Sequence, residues 1–157
     1  MTEEEKLSEL ELTMTVLWNS IRRWMNQRNN SSAANGLSDL DVFLLHLLVY
    51  RNRQLRGVDL AFALSIDDMH LVMYSLKKLT KLGFTSSSKI GKEVFYCSTD
   101  KGNSHYAEFL KDRRRYLEPS LTSGVSGALD YEALNTSLRA LSGVYEQAAR
   151  SAASAKG

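Results

Sequence analysis

The sequence predicts a mainly α fold with one small β-hairpin. Three observations carry that expectation. The 157 residues include only one proline and nine glycines, so little interrupts a helix. Apolar residues recur at helical spacing through most of the chain. The period switches from 3.6 to 2 once only, over residues 84–98. The length suits one domain with its own core.

The first helix is read from Leu7, Leu10, Met14, Leu17, Trp18, Ile21, Trp24 and Met25, a stripe lasting about five turns. Asn29, Asn30, Ser31, Ser32, Asn35 and Gly36 are expected to end it in a polar loop. So long a helix with two tryptophans presents more apolar surface than a small domain covers, and a second subunit is the expected cover. Ser38 is the N-cap of the next helix, with Asp39 and Asp41 in its first turn where the dipole favours anions. Its inward face is Leu40, Phe43, Leu44, Leu47 and Leu48, and Arg51, Arg53 and Arg56 follow at its C-terminal end. After Gly57, residues 58–64 read as a short helix with Leu60, Ala61 and Leu64 inward. Ser65, Ile66 and Asp67 make a tight turn, and Asp67 or Asp68 caps a helix reaching Leu82 and stopped by Gly83.

Residues 84–88 and 93–98 then flank Lys89-Ile90-Gly91-Lys92 as a hairpin with a glycine-containing loop. Thr99 caps the following helix, which carries Tyr106, Phe109 and Leu110 and is expected to end at Pro119. Residues 120–127 read as a Ser/Gly linker. Leu134, Leu138, Leu141, Tyr145 and Ala148 mark a last amphipathic helix, with residues 151–157 as a frayed tail.

The formal net charge is only +2, but its distribution is uneven. Glu3, Glu4, Glu5, Glu9 and Glu11 face Lys6 alone at the N-terminal end. Lysines and arginines dominate residues 77–115. An acidic end and a basic middle fit a localised phosphate-binding surface, or an ordinary solvated face. No apolar run approaches the ~18–20 residues of a membrane span, and the acidic N-terminus argues against a signal peptide. The single cysteine, Cys97, excludes an intrachain disulfide framework and suits a reducing cytosol.

The order short helix, turn, second helix, glycine and two-stranded wing over residues 56–102 is that of a winged helix-turn-helix, whose second helix enters the major groove of DNA. With Val72, Leu76 and Leu79 inward, that helix turns outward Met69, His70, Met73, Tyr74, Lys77, Lys78 and Lys81. The first four are the candidates for base contact and the lysines for phosphate contact. Lys89 and Lys92 add charge at the wing. Asp67 and Asp68 begin the recognition helix; a capping role and acceptance of a hydrogen bond from cytosine N4 both fit.

At this point the sequence resembles the MarR family of bacterial winged-helix regulators. The segment LAFALSIDDMHLVMYSLKKLTKLGF (60–84) is similar to that family's helix-turn-recognition-helix, including the Leu79 and Gly83 ending. STDKG (98–102) is similar to the leucine-threonine-x-x-glycine that leaves the wing. Ser98 stands where the family has leucine, and Lys89 and Lys92 replace the acidic-x-arginine of its wing tip. Lysine is a poorer reader of a narrow minor groove than arginine.

The resemblance implies a homodimer on a pseudopalindromic duplex DNA site, regulating transcription, most simply by repression, in the bacterial cytosol. A small-molecule effector would relieve it. Residues 37–102 would be the DNA-binding lobe of a single domain, and residues 1–36 and 103–150 its dimerisation helices, joined through Leu10, Leu17, Trp18, Ile21, Leu134, Leu138 and Leu141. Trp18 and Trp24 are read as dimer core, with an effector pocket as the alternative. The run Arg113-Arg114-Arg115 is read as solvated or ion-paired between subunits. Cys97 is read as structural rather than a redox sensor.

His46, His70 and His105 lack metal-ligand spacing, so no metal or other cofactor is expected. No nucleophile-histidine-carboxylate set, phosphate loop or catalytic carboxylate pair marks an enzyme. The competing class is a winged-helix module that binds protein without specific DNA binding.

Overall fold

The structure, a computed structural model, describes residues 1–30, 36–123 and 129–156, which form two compact units, 1–111 and 112–157. The first unit holds α1 (Glu3–Asn30), α2 (Asp39–Arg51), β1 (Leu55–Arg56), α3 (Gly57–Ala63), α4 (Met69–Lys81), β2 (Thr85–Ile90) and β3 (Glu93–Ser98), and α5 (Asp100–Asp112) runs to its end. A π-helical turn (Arg113–Leu117), α6 (Glu118–Ser123) and α7 (Tyr131–Ala155) follow in the second. The mainly helical class with a β wing is as the sequence predicts.

The core of the first unit lies where α2, α3 and α4 meet the sheet. Leu44, Leu45, Leu48, Leu60, Val72, Leu76 and Leu79 are fully buried there. Ser38 closes a capping box at the start of α2: its Oγ accepts from the Asp41 N–H at 3.2 Å, and Asp41 Oδ2 accepts from the Ser38 N–H at 2.8 Å. Val42 and Leu45 are buried beside the expected α2 residues, because this helix is enclosed on more than one face, while Leu40, Phe43 and Leu47 are only partly buried. Helix α1 meets α2 through Trp18, stacked on Phe43 at 5.6 Å, and through Arg22 Nε, which donates to Asp39 Oδ2 at 2.7 Å.

Several expectations change. The wing is a three-stranded sheet of order β1-β3-β2, since Leu55 and Arg56 leave the α2 region and pair with Tyr96 and Phe95. The second wing strand is where expected, while β2 runs two residues further, to the pair Ile90 and Glu93, leaving only Gly91 and Lys92 in the turn. Gly91 has φ +64 and Lys92 does not share a positive φ, the pattern of a II′ turn.

Pro119 does not end helical backbone; α5, the π turn and α6 run on without a break, and Pro119 lies just past the π turn. Its ring would crowd a regular helix upstream, and the wider π turn gives it room. Residues 151–155 are the last turn of α7 rather than a frayed tail, as three alanines and two serines of adequate helix propensity allow. The expected loop and linker fall partly on residues 31–35 and 124–128, outside the described residues.

Candidate nucleic-acid interface

Helices α3 and α4 are joined by a turn built from the ends of both. Ser65 has φ 55, and the Ile66 N–H donates to Ala61 O at 2.8 Å while the Ser65 N–H donates to Phe62 O at 3.2 Å. This is a Schellman motif with serine where glycine is usual. Asp68 then caps α4, its Oδ1 accepting from the His70 N–H at 2.9 Å and the Leu71 N–H at 3.4 Å. The capping role is therefore Asp68's, and Asp67 stays exposed. A second Schellman motif ends α4, with Gly83 at φ +84 and the Phe84 N–H donating to Leu79 O at 2.9 Å.

Successive residues of a helix step round its axis by about 100°. With Val72, Ser75, Leu76 and Leu79 buried, His70, Tyr74, Lys77 and Lys81 fall on the opposite face, and all four are exposed. The other three residues read as outward lie on the flanks. Met69 and Met73 pack against the core on the α3 side. Met73 Sδ and Met69 Cε fill the space over Gly57, where a Cβ would stand 2.8 Å and 3.6 Å from them.

Lys78 turns the other way and donates to Gly36 O at 2.7 Å and Asp41 Oδ2 at 2.8 Å. Asp41 Oδ1 also accepts a short hydrogen bond from Ser75 Oγ. Burial works to raise the Asp41 pKa, but the bonds from Lys78, Ser75 and the Ser38 N–H outweigh it and hold the carboxyl below its ordinary range. The half-buried Lys78 ammonium is thus engaged within the chain, fastening α4 to the start of α2.

Two apolar residues near the outward face were missed by the sequence pattern. Leu71 is 54% exposed beside His70, and Phe62 on α3 is 89% exposed. A helical wheel puts Leu71 on a flank, about 90° from the centre of the buried face, where spacing alone leaves either role open.

Arg56 joins the wing to the helices. Its guanidinium donates to both Asp59 oxygens at 2.9–3.0 Å and to Glu93 Oε1 at 2.7 Å. The Asp59 carboxyl is held below its ordinary range chiefly by the side-chain bond from Arg56. Lys89 stands on β2 opposite Val94 and Lys92 in the turn, both exposed. Thr99 caps α5 as expected, accepting from the Gly102 N–H at 3.2 Å, and donates to Gly83 O at 2.6 Å. Cys97 is half-buried beside Ser86, with Sγ and Oγ 3.2 Å apart.

In the first unit, Leu10, Leu17, Trp18 and Ile21 all keep exposed surface. In the second, Leu134 and Leu138 are exposed, Leu141 is half-buried, and α7 has no buried residue. Arg113 lies 3.7 Å from Glu118, and Arg115 stacks over Tyr116 at 5.0 Å. Behind the α2–α5 contact, His46 packs on Phe109 at 4.6 Å, Tyr106 at 5.0 Å and His105 at 5.5 Å. Among the described residues no cluster of three or more His, Cys, Asp or Glu is placed to hold a metal ion, and no helix is long and apolar enough to cross a membrane.

Residues 37–102 match the family described as winged helix DNA-binding domain. That segment is thus similar to a winged helix DNA-binding domain, in agreement with the helix-turn-helix and wing just described. In fold the chain is similar to solved transcriptional regulators, a MarR family member among them. The transcriptional regulator BldR from Sulfolobus solfataricus superposes with TM-score 0.71 at 19% identity, covering 90% of this chain and 97% of that one. NMB1585, a MarR family regulator from Neisseria meningitidis, gives TM-score 0.70 at 15% identity, covering 92% and 96%. FabT from Streptococcus pneumoniae, solved in complex with DNA, gives 0.65 at 12% identity, covering 92% and 98%. At these identities the likeness is one of fold. No curated protein matches the chain in sequence.

Proposed function

We propose that this protein is a sequence-specific transcriptional regulator, acting in the cytoplasm as a homodimer on a pseudopalindromic DNA site. The observation that carries the reading is the outward face of α4, where Lys77 and Lys81 stand in line with His70 and Tyr74 on the second helix of a winged helix DNA-binding domain. Lys89 and Lys92 on the wing extend the cationic surface toward the backbone or minor groove.

Dimerisation is supported by what the single chain leaves uncovered. Leu10, Leu17, Trp18 and Ile21 on α1 and Leu134 and Leu138 on α7 are exposed apolar residues at helical spacing. A 25-residue helix without one buried residue lacks the packing that normally stabilises helices in water. A dimer built on these helices would set two α4 helices about 34–36 Å apart, one turn of duplex. Repression, and its relief by a small-molecule effector that changes this spacing, are carried by the family resemblance.

A salt titration of duplex binding tests the DNA reading. The logarithm of the association constant is expected to fall linearly with the logarithm of salt concentration, by about 0.9 per phosphate neutralised. Lys77→Ala and Lys81→Ala should each make the slope shallower by about that amount for every copy engaged. Absent or salt-independent binding at low ionic strength would favour a protein-binding module instead. Sedimentation at micromolar concentration tests the dimer, with Leu17→Asp expected to yield monomer.

A further inference from the structure

The residues left to meet base edges are unusual for a recognition helix. Base contact falls to the N-terminal part of such a helix. There Met69 and Met73 pack against the core under Gly57, and the Asp68 carboxylate is occupied by the cap. What remains outward is His70, Leu71 and Tyr74, with Asp67 before them. None is Arg, Asn or Gln, the side chains that pair bidentately with guanine or adenine. Instead two large apolar groups stand in water, Leu71 at 54% and Tyr74 at 72% exposure. They lie three residues apart, so they project from neighbouring positions one turn along the helix. Lys77 and Lys81 continue that side toward the C-terminus and make no ion pair among the described residues.

The major groove offers one apolar feature, the C5-methyl of thymine. We infer that α4 selects thymine-containing half-sites by packing Leu71 and Tyr74 against thymine methyl groups, while Lys77 and Lys81 hold the helix to flanking phosphates. This inference rests on the DNA-binding reading above and names its sequence preference. Lysine–phosphate attraction draws the helix into any groove without distinguishing bases. The apolar pair supplies the discrimination, because only at thymine does it leave water for an apolar partner.

The test uses the full chain. Duplexes selected from a random pool should carry thymine at fixed positions in each half-site. Remaking a selected duplex with deoxyuridine at those positions, one at a time, removes only the methyl and leaves base pairing intact. Each contacted position is expected to weaken binding about fourfold, the transfer free energy of one methyl-sized group expressed as an equilibrium constant. In Leu71→Ala and Tyr74→Ala, both surface changes, thymine and deoxyuridine should become equivalent at the position each side chain serves, with the salt slope unchanged.

Salt-dependent binding that ignores deoxyuridine at every position would overturn this inference and leave the DNA-binding reading standing. Full methyl discrimination retained in both variants would do the same. No binding to any duplex at low salt would overturn both, and would assign Leu71 and Tyr74 to a protein-binding face.

Discussion

Replacing Asp41 with asparagine probes how α4 is held. The residue is 2% exposed and its carboxylate receives Ser75 Oγ, Lys78 Nζ and the Ser38 N–H. Asparagine keeps the shape and one acceptor, but turns an NH2 group toward donors. Removing one partner of a buried ion pair costs about 3–5 kcal/mol. Lys78 keeps 31% of its side chain exposed and can swing into water, which lowers the expected loss to about 2–4 kcal/mol.

Urea unfolding followed by the fluorescence of Trp18 and Trp24, at fixed protomer concentration, measures the change. The sign with pH follows from the depressed carboxyl pKa. The stabilisation is fully present above the ordinary value of 3.8 and disappears as pH falls through the lower folded value. Asp41→Asn therefore removes an acid-sensitive component of stability. A loss below about 1 kcal/mol, no larger than an average substitution, would refute the reasoning. So would additivity with Lys78→Met in a double-mutant cycle, because two groups in one network must couple.

Three further outcomes are expected. His46 has a buried Nε2 without a hydrogen-bond partner among the described residues, and burial first, then His105 and Arg28, pushes its pKa down to about 3. The unfolded state thus binds the extra proton below pH 6.5, and stability should decline as pH falls from there toward 3, by roughly 4–5 kcal/mol in the limit. His46→Leu should shrink that decline, leaving the share due to His105, and an unchanged pH profile would count against it. In Gly102→Ala the new Cβ would strike the Phe84 carbonyl and lie 3.0 Å from Leu45 Cδ1, so a loss of about 1–3 kcal/mol is expected in thermal melts, and a gain contradicts the packing. Ser65→Gly relieves a left-handed residue at a cost of about 1–2 kcal/mol to serine, partly offset by glycine's freedom when unfolded. A modest rise in melting temperature should follow, and a fall would show that the Ser65 side chain holds the turn.

What was legible in the sequence was local. Ser38, Gly83 and Thr99 announce helix ends through their own chemistry, and Val72, Leu76 and Leu79 announce the buried side of α4 through spacing alone. What was not legible depends on partners far along the chain. Lys78 reads as one more lysine on a polar face, and only the fold brings Asp41 beneath it. Met69 and Met73 sit where a wheel leaves either role open, and the space over Gly57 on α3 draws them inward. A strand of two residues such as β1 has no period to detect, and exists because β3 offers an unpaired edge. At the recognition surface, expecting polar residues outward hid Leu71, whose exposure depends on what surrounds it.

The division of α4 between its faces also bears on how this protein can change. The side chains that fasten the helix, Ser75 and Lys78 to Asp41 and Met73 beneath Gly57, are separate from His70, Leu71, Tyr74, Lys77 and Lys81. Substitutions at such surface positions usually alter stability by no more than about 0.5 kcal/mol. On the proposed function, site preference can drift, or be redesigned by swapping those five residues, while the scaffold beneath stays intact. Selection on what α4 would read and selection on whether it folds then act on different residues of the same short segment.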